Sequence, residues 1–283
     1  MNQSKFNLGV VLRDSLNKLR YDPDQEGDYE LVGRFVDGQN YIDINSPDEI
    51  TNSLDAVIFM HYPFNKNLAK IFSEKESDVF FLNSPSGVLN TSEKTFEHFN
   101  FSKYMPESLY INKDVSDENI LEFFNSYESV IVKPINGTGG KGIDLYKKGS
   151  ELPDLISKYK SENYIAQEFI KNEGDKRILC LGGDILGYFG RFNDSNYINN
   201  ISSGGSMISV DLSKEEVDMA LDISNRLVKE GIYFSGLDVI DGKLIEVNTA
   251  SPGGIDVVEP YKFKSKDNMY DYAKRKVYDL FKK

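Results

Sequence analysis

Short apolar runs alternate with helical periodicity along the first third of the chain. Three runs rich in β-branched or aromatic residues predict buried strands: Phe6–Leu12, Ala56–Met60 and Val79–Leu82. The segment Asn65–Glu76, between the last two runs, carries a helical pattern. A strand–helix–strand unit favours a small parallel sheet. The polar residues 83–90 then predict a loop, and Ser92 predicts the N-cap of a helix that ends near Phe101.

The rest of the chain predicts antiparallel hairpins with helices packed on them. Three pairs of strand-like runs are separated by glycine-containing turns: Ser129–Lys133 with Ile143–Tyr146, Arg177–Leu181 with Ile185–Arg191, and Ser235–Ile240 with Lys243–Val247. Helices are predicted over Asp117–Tyr127, over Glu151–Lys160, from a capping box at Ser213 and Glu216 to Gly231, and over Asp267–Phe281. The predicted fold class is α+β.

Composition narrows the kind of protein. The 283 residues, 40% of them hydrophobic, are enough for two or three small lobes or one large domain. A net charge of −12 repels phosphate backbones, so nucleic acid is not an expected partner. A single cysteine, Cys180, cannot form an internal disulfide, which favours a reducing compartment. No apolar stretch reaches membrane-spanning length. These features predict a cytoplasmic protein with no membrane partner.

A glycine-rich loop, Asn136–Gly142, follows the strand that ends at Lys133. Its glycines can adopt positive φ and approach an anion closely. The spacing Gly137-x-Gly139-x-x-Gly142 matches a dinucleotide fingerprint, but that motif requires a helix after its last glycine, and a strand is predicted there. A phosphate-binding Walker loop would need Ser or Thr in place of Gly142. The remaining hypotheses are a lid over nucleotide phosphates and a hairpin without a ligand.

The last predicted hairpin carries two carboxylates and an amide. Glu246 and Asn248 are two residues apart, so a strand directs both to one face, and Asp238 on the partner strand can join them. Such oxygens suit Mg²⁺ that shares its shell with water and phosphate. The alternative is an edge hairpin whose acidic side chains face solvent.

Several basic residues stand in structured stretches: Lys94, Lys133, Lys176, Arg177 and Arg191. Arg177 and Arg191 lie on the two strands of one predicted hairpin and can point the same way, toward a phosphate or carboxylate. The sequence lacks a nucleophile elbow, and His61 and His98 form no metal-ligand pattern. Phosphoryl transfer, which needs positioning, cations and a metal, is better supported than covalent hydrolysis.

Taken in order, five segments resemble the ATP-grasp ligases and, within them, the bacterial glutathione synthetases. The segments are VIVKPINGTGGKGI, IAQEFI, GDKRILCLGGDILGYFGR, NNISSGG and GIYFSGLDVIDGKLIEVNTASPGGI, within a match from about Asn83 to Ile255. The resemblance implies an ATP-grasp fold, two α+β lobes that grip ATP behind a small N-terminal α/β lobe. The corresponding boundaries are 1–88 for a shortened first lobe, 89–165 for a central lobe with the glycine loop, and 166–283 for a C-terminal lobe.

The resemblance also implies a role for each matched residue. ATP-binding residues would be Lys94, Lys133, Gly137, Thr138, Gly139, Gly140, Gln167, Glu168, Phe169, Ile170 and Asp175. The metal ligands would be Asp238, Glu246 and Asn248, and Arg177 and Arg191 would be the catalytic residues that steady an acyl phosphate. On the substrate side would lie Asn200, Gly204, Gly205, Ser251, Pro252, Gly253 and Gly254.

The implied reaction joins a carboxylate to an amine at the expense of ATP, with two Mg²⁺ ions, or Mn²⁺ in their place, as the metal. The expected partners are a small-molecule or dipeptide acid, in this family γ-glutamylcysteine, and an amine such as glycine; a homo-oligomer is left open. Two departures leave a ligase for another small peptide or amino acid as an alternative. A second, less favoured class of function is a non-catalytic ATP-binding module. Ile198 stands where the family usually carries an arginine, and Arg13–Ser46 lacks a long apolar helix.

Overall fold

The architecture was established from a computed structural model of the chain. The structure describes residues 6–12, 29–36, 56–60, 64, 66–137, 140–150, 153–171, 174–194, 199 and 204–282.

These ranges contain both strands and helices. The strands are β1 (Phe6–Leu12), β2 (Tyr29–Val36), β3 (Ala56–Phe59), β4 (Phe80–Leu82), β5 (Ser108–Ile111), β6 (Ser129–Pro134), β7 (Asp144–Lys147), β8 (Tyr164–Glu168), β9 (Asp175–Leu181), β10 (Asp184–Phe192), β11 (Ser206–Ile208), β12 (Phe234–Ile240), β13 (Lys243–Asn248) and β14 (Glu259–Pro260). The helices are α1 (Lys66–Ser73), α2 (Pro85–Thr91), α3 (Lys94–Phe101), α4 (Asp117–Ser126), α5 (Pro153–Glu162), α6 (Lys214–Lys229) and α7 (Lys266–Phe281).

The first sheet is parallel, as the strand–helix–strand pattern predicts. Its order is β2-β1-β3-β4, with β1 paired to both β2 and β3 in parallel. β2 was not predicted, because Glu30, Gly33 and Arg34 interrupt its apolar pattern. The apolar side chains of β3 and β4 pack against α1, with Phe72 between the rings of Phe59 and Phe81.

The predicted loop at residues 83–90 is wrong, because most of it forms α2. Ser84 caps this helix by accepting a hydrogen bond from the Gly87 amide at 3.1 Å, and Pro85 occupies the first turn, where its missing N–H is tolerated. The predicted cap at Ser92 is also wrong. Ser92 ends α2, and Glu93 precedes α3 without a side-chain capping bond.

The central sheet is antiparallel in the order β5-β8-β6-β7. The predicted hairpin around the glycine loop is confirmed by the pairing of β6 with β7. Val130, Val132 and Ala166 point to one face, where they form a core with α4 and α5. Side chains at alternate positions, Ile131 and Lys133, therefore point to the other face.

The C-terminal sheet runs β11-β10-β9-β12-β13, and β14 pairs with the outer part of β10. Both predicted hairpins are confirmed, β9 with β10 and β12 with β13. The capping box at Ser213 and Glu216 is present and opens α6. Ala220 and Leu227 on α6 pack against one face of this sheet, on Ile178 and Leu237 among others, and leave the opposite face to the site.

Helix α3 lies where the central and C-terminal sheets meet. It contacts β5 of one sheet and β13 of the other, and the Lys94 amide donates to the Ile135 carbonyl at 3.1 Å. The lobe boundaries at 88 and 165 stay predictions; in the structure they fall inside α2 and β8. No helix within the described ranges is both long and apolar enough to span a membrane.

Asn83 connects the end of the first sheet to the C-terminal sheet. Its side chain is fully buried and makes four hydrogen bonds to backbone groups. Nδ2 donates to the carbonyls of Phe234 at 2.6 Å and Thr249 at 2.7 Å, and Oδ1 accepts from the amides of Tyr233 at 2.8 Å and Phe234 at 2.6 Å. These bonds fix the start of β12 beside the segment that follows β13.

We expect Asn83→Ala to lower the free energy of unfolding by roughly 3 kcal/mol or more, because it leaves several buried backbone groups without a partner. Denaturant titration followed by circular dichroism measures the change. Asn100→Ala, at an exposed position on α3, is the control and should change stability by less than about 0.5 kcal/mol. A loss below about 1 kcal/mol for Asn83→Ala would contradict the assigned role.

Candidate active site

Charged side chains gather on the face of the C-terminal sheet that α6 leaves open. In an antiparallel pair, residues directly opposite each other share a face. The register places Asp238 opposite both Arg177 and Glu246, and Asp175 opposite Arg191. Alternation along the strands adds Asn248 to the same face. The prediction that Arg177 and Arg191 point the same way is therefore confirmed.

Asp238 is held by both arginines. Arg177 binds it through two bonds, with Nε on Oδ1 and Nη2 at 2.9 Å from Oδ2. Arg191 Nη2 lies 2.9 Å from Asp238 Oδ1 and the same guanidinium binds both oxygens of Asp175, at 2.7 and 2.9 Å. All four side chains are buried, so this network is shielded from water and its geometry is tightly set.

Helix α3 brings two further charged groups to this face. Lys94 Nζ donates to Glu246 Oε1. Glu97, one helical turn after Lys94, accepts the Val247 amide at 2.7 Å through Oε2. The solvent-facing alternative for the acidic hairpin is excluded, because Asp238 is 5% exposed and Glu246 is covered on one side by Lys94.

Lys133 approaches from the central sheet. Its Nζ donates to Gln167 Oε1 at 2.7 Å and to the Ile245 carbonyl at 3.3 Å, so it links β8 to β13. Gln167 in turn donates to Ser108 Oγ at 3.0 Å. Lys176, the remaining basic residue singled out in the sequence, points the other way and pairs with Glu216 at 2.8 Å.

The environment shifts the pKa values of these groups in different directions. Burial lowers the pKa of Lys133 to about 8, with the neighbouring charge of Lys94 acting in the same direction. Burial would raise the pKa of Asp238, but the two arginines outweigh it and hold the value at about 2. Burial raises the pKa of Glu97 to about 7, against the lowering effect of Lys94. The site therefore keeps Asp238 ionised at neutral pH.

A cleft of about 830 Å³, partly open to solvent, lies between the two sheets. Seven apolar side chains line it: Ile131, Pro134, Ile143, Phe169, Ile170, Ile240 and Ile245. Polar and charged residues share its walls: Lys94, Lys133, Gln167, Glu168, Asp175, Asp238 and Glu246. This combination suits a ligand with an aromatic base at one end and phosphates at the other.

The glycine loop borders the same cleft. Gly137, Gly140 and Lys141 line it, and Gly140 has a φ of 77° that favours glycine. The loop therefore stands at the edge of a cavity, as the lid hypothesis requires. A strand rather than a helix follows Gly142, which excludes the dinucleotide fingerprint.

The predicted substrate-side segments end beside the arginines. A Cβ on Gly236 would lie 3.2 Å from both Arg177 Nη1 and Pro252 Cβ, which places Pro252 close to Arg177. Gly204 and Gly205 precede β11, which pairs with β10 so that Met207 stands opposite Arg191. Gly204 and Gly205 therefore lead into the strand that pairs with the Arg191 end of β10.

The donor set fits a magnesium ion that is shared with a nucleotide. Asp238 and Glu246 are cross-strand partners, and Asn248 Nδ2 lies 3.5 Å from Asp238 Oδ2. Within the described ranges, no three carboxylate, imidazole or thiolate groups converge as a self-contained metal cage. Two carboxylates and an amide, completed by phosphate oxygens and water, are what Mg²⁺ commonly uses.

Some site residues lie outside the described ranges and others were missed. Thr138, Gly139 and Asn200 are among the undescribed residues, as is Ile198. The sequence interpretation missed Glu97, although its position three residues after Lys94 on a helix would have placed it on the same face.

Solved structures identify the fold. The D-alanine–D-alanine ligase of Bacillus anthracis, solved with ATP, superposes with a TM-score of 0.66 at 14% identity, covering 98% of this chain and 99% of that one. The ATP-grasp ligase PsnB, solved with its minimal precursor, superposes with a TM-score of 0.57 at 16% identity, covering 86% of this chain and 90% of that one. The chain therefore has the ATP-grasp fold, and the predicted α+β fold class is confirmed.

Family comparison is more specific. The model of the prokaryotic glutathione synthetase ATP-grasp domain matches residues 93–262. The chain belongs to this family.

The chain matches only part of the length of its curated relatives. The glutathione synthetase of Buchnera aphidicola subsp. Baizongia pistaciae is 32% identical over 188 residues, which are 64% of this chain and 57% of that protein. That of Agrobacterium fabrum is 32% identical over 229 residues, 78% of this chain and 69% of that protein. The chain thus spans less than two thirds of the Buchnera relative.

The carboxylate of Asp238, which both arginines bind, should make the stability of the protein depend on pH. Because the folded-state pKa of Asp238 is lowered from 3.8 to about 2, the stability it contributes is present above its unfolded pKa and is lost as the pH falls toward 2. We expect Asp238→Asn to lower the unfolding free energy by about 3 kcal/mol near neutral pH, with a deficit that narrows below about pH 4. Denaturant titrations across this range measure it; parallel profiles would contradict the assignment.

Proposed function

We propose that the protein is an ATP-dependent carboxylate–amine ligase. It joins the carboxylate of γ-glutamylcysteine to the amino group of glycine, and releases ADP and phosphate. The observation that carries this proposal is the convergence, around one cleft, of Lys94 and Lys133 with the acidic pair Asp238 and Glu246. Both arginines reach this group through their bonds to Asp238. Membership of the glutathione synthetase family supports the choice of substrates.

The reaction has two steps. An oxygen of the acid substrate attacks the γ-phosphorus of ATP; the bond to the β–γ bridging oxygen breaks, and ADP leaves with an acyl phosphate as the other product. The amine nitrogen then attacks the acyl carbon, phosphate leaves, and the nitrogen loses a proton to solvent. The first step brings two anions together and the second releases phosphate, so the site must supply positive charge at fixed positions.

The chain's own residues divide this work. Lys94 and Lys133 bind the phosphates of ATP, and the backbone of residues 168–170 borders the base. Arg177 and Arg191 face the substrate-side segments and stabilise the negative charge of the acyl phosphate. The glycine loop closes over the phosphates and excludes water, which protects the acyl phosphate from hydrolysis.

Magnesium would be held by Asp238, Glu246 and Asn248. We propose two ions, with Mn²⁺ able to replace them. When bound, the ions neutralise the phosphate oxygens so that an anionic carboxylate can approach. The cations already present are paired with carboxylates, so a triphosphate brings excess negative charge that needs divalent ions. We place the reaction in the cytoplasm, in keeping with the free, buried Cys180.

The proposal predicts that ADP release requires both substrates together. ATP, Mg²⁺, γ-glutamylcysteine and glycine are mixed with the protein, each is omitted in turn, and ADP formation is followed by a coupled assay. We expect continued, multiple-turnover release only with the complete mixture, because without the amine the reaction stops once the acyl phosphate has formed. A panel of other dipeptide acids and amino acids in the same assay tests the alternative substrates.

Two results would contradict this proposal. If another acid stimulates ADP formation and γ-glutamylcysteine does not, the protein is still a ligase but its acid substrate is a different one. ATP binding without turnover on any acid–amine pair would identify a non-catalytic nucleotide-binding module.

The metal site makes a second prediction. Glu246→Gln keeps a hydrogen-bond acceptor for Lys94 but removes a charged metal ligand, so we expect turnover to fall by about a hundredfold or more. The folded state should be retained, as checked by circular dichroism. Glu122→Gln, an exposed glutamate on α4, removes the same charge away from the cleft and should leave turnover unchanged. A near-normal rate for Glu246→Gln would remove Glu246 from the metal site.

A further inference from the structure

Strand β13 carries two of the three predicted metal ligands and stands at the edge of its sheet. It pairs with β12 on one side and ends the strand order there. An edge strand directs every second N–H and C=O away from its neighbour, and buried groups of this kind need other partners. The orientation of Glu246 and Asn248 therefore depends on what holds this outer edge.

Two side chains from outside the sheet take the place of a neighbouring strand. The Ile245 carbonyl accepts from Lys133 Nζ at 3.3 Å, and the Val247 amide donates to Glu97 Oε2 at 2.7 Å. The two backbone groups are two residues apart, as the alternation along a strand requires. Val247 lies between Glu246 and Asn248, so its amide is the backbone group closest to both ligands in the chain.

Glu97 is well placed to fix this edge. It is 5% exposed and sits on α3 one turn after Lys94, which contacts the Glu246 side chain. The helix is anchored in turn by the Lys94 amide on the Ile135 carbonyl at the base of the glycine loop. Helix α3 thus contacts β13 at two points. Lys94 binds the carboxylate of Glu246, and Glu97 binds the backbone amide of Val247.

We propose that Glu97 is a positioning residue for the metal–nucleotide site. Its bond to the Val247 amide sets the backbone of β13 so that Glu246 and Asn248 present their oxygens together with Asp238. This inference rests on the proposed function. Glu97 does not touch the reacting groups; it acts through Val247, as outer partners of metal ligands commonly do.

The competing explanation is that Glu97 serves only as a countercharge for Lys94 and Lys133. Two near-isosteric substitutions separate these roles. Glu97→Gln removes the charge and keeps an acceptor oxygen for the Val247 amide, whereas Glu97→Met removes both. Glu97→Asp keeps the charge and shortens the reach by one methylene. If Glu97 acts as a hydrogen-bond acceptor, the Gln variant should bind Mg²⁺ and nucleotide almost as the wild type does. The Met and Asp variants should both bind more weakly.

The experiment measures binding rather than turnover. A nonhydrolysable ATP analogue is titrated into each variant by calorimetry at limiting and at saturating Mg²⁺. We expect Glu97→Met to weaken binding about tenfold at limiting Mg²⁺ and less at saturating Mg²⁺, because the ion is held less well. Glu97→Asp should behave similarly, and Glu97→Gln should stay within about threefold of the wild type. Glu122→Gln is the control for the loss of one carboxylate.

Each outcome decides between the hypotheses. Wild-type Mg²⁺ dependence in Glu97→Met, or in Glu97→Asp if the Met variant does not fold, would overturn the inference. A Glu97→Gln variant as weak as Glu97→Met would assign the role to charge and would also overturn it. Failure of the wild-type protein to bind the Mg²⁺–nucleotide would instead contradict the proposed function.

Discussion

The structure depends on balancing charges that are buried beside the cleft. Four cations, Lys94, Lys133, Arg177 and Arg191, meet four carboxylates, Glu97, Asp175, Asp238 and Glu246, and all but Glu246 are buried. Removing such groups from water is unfavourable unless each finds an opposite charge in good geometry. The pairing of Asp238 with both arginines satisfies this condition and determines which side chains face the cleft.

The fold meets this constraint through simple alternation. Along β9, residues 175 and 177 lie on the face that carries the charged network, whereas Lys176 and Ile178 face α6. The same strands therefore supply an apolar core on one face and a charged site on the other. The central sheet repeats the arrangement with Val132 in its core and Lys133 toward the cleft. Helix α3 then joins the two sheets at the strand that carries Glu246.

Much of this could be predicted from the sequence, because the signals are local. The turns Gly182-Gly183 and Asp241-Gly242 fix two hairpins, and once a hairpin is known, alternation places Asp238, Glu246 and Asn248 on one face. The capping box at Ser213 likewise sets the start of α6. These elements need no information from distant parts of the chain.

Other features could not be predicted, because they depend on tertiary contacts. The segment 85–91 is rich in turn residues, yet it forms a helix packed against residues 230–232 through Gly87. The role of Glu97 depends on an amide about 150 residues away. Strand β2 could not be predicted either, because polar residues interrupt its apolar pattern and only its pairing with β1 makes it a strand. Ion-pair partners such as Arg191 with Asp175 follow from register, which the turn sequence sets only approximately.

The most direct test is a crystal structure with a nonhydrolysable ATP analogue and Mn²⁺, with data collected to reveal the anomalous signal of the metal. We expect anomalous density within about 2.2 Å of oxygens from Asp238 and Glu246, with the triphosphate between these residues and the glycine loop. Nucleotide bound elsewhere, or metal density away from both carboxylates, would contradict the assignment of this cleft as an ATP–metal site.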